Sequence, residues 1–67
     1  MELSARNQLK GKVTKITLAN VMAEVHVQVG GNEIVSAITR GSVERLGLKV
    51  GDDVVAIVKS TEVMIGK

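Results

Sequence analysis

The hydrophobic and polar positions of this chain alternate over much of its length. Between residues 21 and 29, Ala23, Val25, Val27 and Val29 fall on one side, and Glu24, His26 and Gln28 on the other. Period two over that length predicts a strand with one buried face and one wet face. Gly30-Gly31-Asn32 follows, with the residue types that accept positive φ in a tight hairpin. Residues 33–39 read as the returning strand, with Ile34 and Ile38 flanking a mixed interior. Upstream, residues 10–17 alternate more loosely, with Val13 between Lys12 and Thr14. Downstream, Arg40-Gly41-Ser42-Val43-Glu44-Arg45-Leu46-Gly47 predicts a helix of little more than one turn. Ser42 is the expected N-cap and Gly47 the residue that ends it. Lys49-Val50-Gly51-Asp52 makes a turn. Residues 53–59 are apolar on both faces, which predicts a central strand or one at an interface, and residues 62–65 predict a short last strand.

The predicted order is three strands, a short helix and two more strands. That is a mainly β fold: a five-stranded OB-like barrel with one short helix between strands 3 and 4. Residues 1–67 form one expected domain, without Pro, low-complexity tract or linker. Residues 2–7 either extend the first strand or reach a neighbouring subunit.

Composition adds one inference about assembly. A 67-residue chain buries only about 60% of the surface its unfolded form exposes, a thin margin. Disulfides, a metal or oligomerisation usually supply the difference. There is no Cys, which removes disulfides and thiolate metal sites, and His26 alone cannot hold a metal. Hydrophobic residues make up 45% of the chain and none is aromatic. So much small aliphatic surface in so short a chain predicts a core completed between chains. No apolar stretch approaches the ~20 residues of a membrane span, and no basic segment followed by an apolar run opens the chain. The expectation is a cytoplasmic protein with no membrane partner.

Enzymatic chemistry has little to stand on. Nucleophilic catalysis needs a base beside the hydroxyl and a third group to orient the base. His26, the single imidazole, lies mid-strand on a polar face and reads as a solvated or interface side chain. Asp52-Asp53 would need further oxygen ligands to hold a cation, and the glycines are too scattered for a phosphate loop. The expectation is no enzyme and no metal site. Single-stranded nucleic acid is bound largely by stacking on aromatic side chains, which are missing here, and acids interrupt every basic run. An anion site fares better. Ser4-Ala5-Arg6, Thr39, Gly41-Ser42 and Lys59-Ser60-Thr61 combine hydroxyls with a cation or with backbone N–H groups. Arg6 offers a rigid fork of donors and Lys59 a compact charge. The net charge of +2 permits an anionic partner without demanding one.

These same stretches carry a resemblance. Ser4-Ala5-Arg6-Asn7-Gln8-Leu9-Lys10-Gly11, Ala37-Ile38-Thr39-Arg40-Gly41-Ser42, Leu46-Gly47-Leu48-Lys49-Val50-Gly51-Asp52 and Val55-Ala56-Ile57-Val58-Lys59-Ser60-Thr61-Glu62-Val63 resemble, in order and spacing, the motifs of the molbindin (Mop) family. The resemblance implies an OB-fold domain that binds molybdate or tungstate for storage or homeostasis of molybdenum. It also implies a homohexamer, a trimer of dimers, with oxyanion sites between subunits. Carried over by motif, Ser4, Ala5 and Arg6 of one subunit face Thr39, Ser42, Lys59 and Ser60 of another. A second class of site, where several subunits meet, is assigned to Asn20 and Val21. Residues 43–52 are also similar to the motif of AbrB-like, swapped-hairpin DNA-binding regulators, which leaves the block from Ser4 to Gly11 unexplained.

Overall fold

The computed structural model describes all 67 residues. Strand β1 (Asn7–Leu18) is followed by β2 (Met22–Val29), β3 (Asn32–Thr39), helix α1 (Arg40–Leu46), β4 (Asp53–Val58) and a single 3₁₀ turn, Ser60–Glu62. The strands form one antiparallel sheet in the order β3-β2-β1-β4. β1 is long because it serves two partners. Its first half pairs with β4, from Asn7↔Val58 to Lys12↔Asp53. Its second half pairs with β2, down to Leu18↔Ala23. The register slips between Val13 and Lys15, so Thr14 is an extra residue that bends the strand between its two halves.

The alternation read from the sequence sets the core. Val13, Ala23, Val25 and Val27 are buried with Val43 of the helix, while Glu24 and Gln28 face water. The β2–β3 turn is Gly30-Gly31, and only Gly30 takes positive φ, at 57°. Gly11 lets two strands approach closely: a Cβ there would stand 2.6 Å from the Gln28 carbonyl oxygen. The 49–52 turn is tied to the bend in β1, since Gly51 N–H donates to Val13 O (2.8 Å) and Val13 N–H donates to Asp52 O (2.9 Å).

Three expectations are corrected. The barrel has four strands rather than five, and it is open. The segment expected as the last strand begins with the Ser60–Glu62 turn. After Val63 N–H donates to Ser60 O, no further backbone bond holds the tail. A strand needs a ladder partner, and residues 62–65 find none within the chain. The helix N-cap is Thr39, not Ser42. Thr39 is extended (φ −71°, ψ 148°) and its Oγ1 accepts the Ser42 N–H, which is the cap geometry, so Ser42 is the capped residue. β4 is apolar on both faces as read and lies at a sheet edge, which excludes the central position of the two expected. Gly47 ends the helix in the left-handed region, at φ 62°, as expected.

Candidate functional site

The residues singled out from the sequence fall into two groups. Ser4, Ala5, Arg6, Lys59 and Ser60 lie just beyond the Asn7↔Val58 pair, where β1 begins and β4 ends. Gln8 shapes this end: its side-chain amide donates to Ala5 O (2.8 Å) and its N–H donates to Arg6 O (3.1 Å). Arg6, Lys59, Ser4 and Ser60 are exposed and Ala5 is half-buried. Thr39 and Ser42 lie elsewhere. Thr39 pairs with Met22, next to the turn that follows Leu18, at the far end of the 12-residue β1. Drawn straight, such a strand spans ~36 Å, close to the molecule's longest extent of 34 Å. No hydrogen bond joins the two groups. Thr39 ends β3 and Lys59 follows β4, and these two strand ends do not meet within one chain.

At the far end, the hydroxyls of Thr39 and Ser42 are 2.8 Å apart. One of their two protons is used between them. Thr39 Oγ1 also accepts the Ser42 N–H at 3.1 Å. The pair therefore keeps one hydroxyl proton to donate outward. Arg45, a cation passed over in the sequence, donates from Nη2 to Ser42 Oγ at 3.4 Å. Its signal was the spacing, since residues three apart on a helix are neighbours. Asn20 and Val21, assigned to a second site, border the same group. Val21 O accepts the Arg40 N–H (2.8 Å), and Ala19 O accepts from Arg40 Nη1 (3.4 Å).

Each end carries cations outside the chain's ion pairs: Arg6 and Lys59 at one, Arg45 at the other. The ion pairs of the chain are Lys12 with Asp53, Arg40 with Glu44, and His26 with Glu24 and Glu33. Arg6 and Lys59 take part in none. Two cations outside any ion pair and two hydroxyls thus share one strand end. Directed donors backed by positive charge fit a tetrahedral oxyanion, because charge-assisted hydrogen bonds are about twice as strong as neutral ones.

The other candidates are accounted for structurally. Asp52 accepts the Lys49 N–H at 2.9 Å and Asp53 pairs with Lys12 at 3.1 Å. His26 is more enclosed than a solvated residue, its side chain 16% exposed. Glu33 Oε1 lies 2.8 Å from Nδ1 and Glu24 Oε1 lies 2.7 Å from Nε2. A carboxylate at each nitrogen binds the ring as imidazolium. The pKa is accordingly raised above the ordinary 6.5, by the bond to Glu33 first and to Glu24 second, with desolvation working against them. With both nitrogens so engaged, the ring does not serve a hydroxyl nucleophile.

An open OB-like sheet with one capped helix, and with hydroxyls and cations grouped at its strand ends, defines a small β module. Residues 3–65 match the TOBE domain family, and the chain belongs to that family, within its molbindin (Mop) members. It is 54% identical over 66 residues to molybdenum-pterin-binding protein 2 of Clostridium pasteurianum, covering 97% of each chain. Two solved structures are similar throughout. MopII from Clostridium pasteurianum has a TM-score of 0.93 at 52% identity, over 98% of this chain and 100% of that one. A molybdate-binding protein from Sporomusa ovata has a TM-score of 0.95 at 43% identity, over 100% of both. The family match covers residues 43–52 together with the block from Ser4 to Gly11, and nothing supports the DNA-binding alternative. No helix is long and apolar enough to cross a membrane.

Proposed function

We propose that this chain is a single-domain cytoplasmic binder of molybdate or tungstate, taking up the oxyanion between copies of itself for storage or homeostasis of molybdenum. The observation that carries the reading is the division of the motif residues. Ser4, Ala5, Arg6, Lys59 and Ser60 stand at one end of β1, and Thr39 and Ser42 stand at the other. A site using both sets is closed by a second chain. In a homohexamer built as a trimer of dimers, the cationic end of one subunit meets the hydroxyl end of the next. Arg6 and Lys59 offset the dianion's charge, and the hydroxyls of Ser4, Ser60 and the Thr39–Ser42 pair, with backbone N–H groups, direct hydrogen bonds to its oxygens. Asn20 and Val21 border the second class of site.

The process is binding, without a bond-making step. The relatives named for molybdenum-pterin or molybdate binding support the ligand class, and the free cations support its sign. Isothermal titration of the purified protein with molybdate, against sulfate as control, tests the reading. Lys59→Ala is expected to weaken molybdate binding at least tenfold while leaving the circular dichroism spectrum unchanged. Binding equal to wild type would remove Lys59 from the site.

A further inference from the structure

β3 is an edge of the sheet and is held along one side only, by β2. On the outer face of this hairpin, His26 stands opposite Val35 and Gln28 opposite Glu33. One side-chain hydrogen bond crosses between the two strands, the 2.8 Å bond of His26 Nδ1 with Glu33 Oε1. The other bond of the ring, 2.7 Å from Nε2 to Glu24 Oε1, stays within β2. His26 is itself anchored from the opposite side. Its carbonyl oxygen accepts from Thr14 Oγ1 at 3.3 Å, at the bulge where β1 bends. The ring therefore stands on the firm part of the sheet, and the start of β3 is tied to it through Glu33.

Few charged groups surround the ring. β2 supplies Glu24 and β3 supplies Glu33. In the register of β1, Lys15 stands opposite His26 and Lys12 opposite Gln28, and Lys12 is paired with Asp53 of β4 at 3.1 Å. The number of protons on the ring then decides what it can hold. Imidazolium donates from both nitrogens, so each carboxylate receives a charge-assisted bond. Neutral imidazole has one N–H for two carboxylates. Its other nitrogen turns a lone pair toward a carboxylate oxygen, and no cation stands between the two acids. The bond across the strands is then made only while the proton sits on Nδ1, and no second side-chain bond replaces it.

We propose that His26 is a pH-operated latch on the turn end of the β2–β3 hairpin: protonated, it ties the start of β3 to β2 through Glu33, and neutral, it lets residues 32–35 open locally. Edge segments beside a turn are where such sub-global opening is cheapest. The opening uncovers Val27, a core residue, which Ile34 faces across the ladder. Thr39 stays paired with Met22 at the other end of β3, so the latch and the oxyanion reading stand or fall separately. The two carboxylates raise the ring's pKa above the ordinary 6.5, which puts release on the alkaline side of that value.

The chain has a single histidine, so the titration of the ring is read directly from its NMR signals. Backbone amide exchange, corrected for the intrinsic rate at each pH, is measured on the same full-length protein. Relative to the β1–β4 ladder, the β2–β3 ladder amides nearest the turn are expected to lose protection about fivefold as the ring deprotonates, the scale of one surface ion pair. His26→Gln should remove this step. Glu24→Gln is the sharper variant. Its amide donates to a deprotonated Nε2, so the neutral ring keeps its one proton for Glu33 and the turn end should stay protected through the titration. Wild-type protection that ignores the titration of the ring would overturn the proposal, and so would a step of undiminished size in His26→Gln or in Glu24→Gln.

Discussion

His26 shows what a single residue contributes. The alternation placed it on the polar face of β2, where sequence alone suggested a solvated or interface ring. The hairpin register sets Val35 opposite His26 and Glu33 opposite Gln28, so Glu33 reaches the ring diagonally while Glu24 reaches it along the strand. The Glu33 carboxylate depends on the turn length, which is why the clamp was not legible from the pattern. Across β1, Lys15 stands opposite His26 in the register. The folded ring holds its proton more tightly than the unfolded one, so its contribution to stability is complete below about pH 6.5 and is lost as pH rises through the raised folded value. Thermal midpoints measured from pH 6 upward should therefore fall, and His26→Gln should flatten that slope. An equally steep slope in the variant would assign it to another group. Gly11 gives a second residue-scale test. A Cβ there meets a backbone oxygen rather than a movable side-chain end, so Gly11→Ala should destabilise by about 1–3 kcal/mol, the usual cost of overpacking, read from urea midpoints.

At the scale of elements, the hairpin, the short helix and β4 were legible because each has a local signal: alternation, a left-handed glycine, an apolar run. β1 starts at Asn7, earlier than the pattern suggested, because its first turns are recruited by β4, a partner distant in sequence. The helix cap was ambiguous for a physical reason. Thr39 and Ser42 are both capping residue types, three apart, and only the extended backbone at Thr39 decides between them. Thr39→Ala should cost about 0.5–2 kcal/mol through the lost cap and also weaken oxyanion binding. Thr39→Ser should restore both. Ser42→Ala keeps the capped N–H and should alter binding far more than stability. Chemical denaturation and titration on the same three variants check this, and a Ser42→Ala variant that lost stability as Thr39→Ala does would contradict the cap assignment. The last strand was misread because an apolar run is a strand only where an edge pairs with it, and no edge of the chain pairs with residues 62–65.

For the whole molecule, the central fact is incompleteness. Only five of 67 residues are buried in the isolated chain, the barrel is open along one side, and the site residues stand at two ends of β1. The candidate residues were chosen through their motifs, but their separation was not legible, because it follows from the length of β1 and the strand order. Assembly accounts for all three features at once. A ligand held between subunits also stabilises the assembly, by about 2.7 kcal/mol at a free concentration near 100 times Kd, so the thermal midpoint should rise with molybdate and not with equal sulfate. The most direct measurement is native mass spectrometry of the purified protein with molybdate or with sulfate. The account predicts a hexamer that gains discrete molybdate-mass increments and none from sulfate. A monomer or dimer indifferent to molybdate would contradict it.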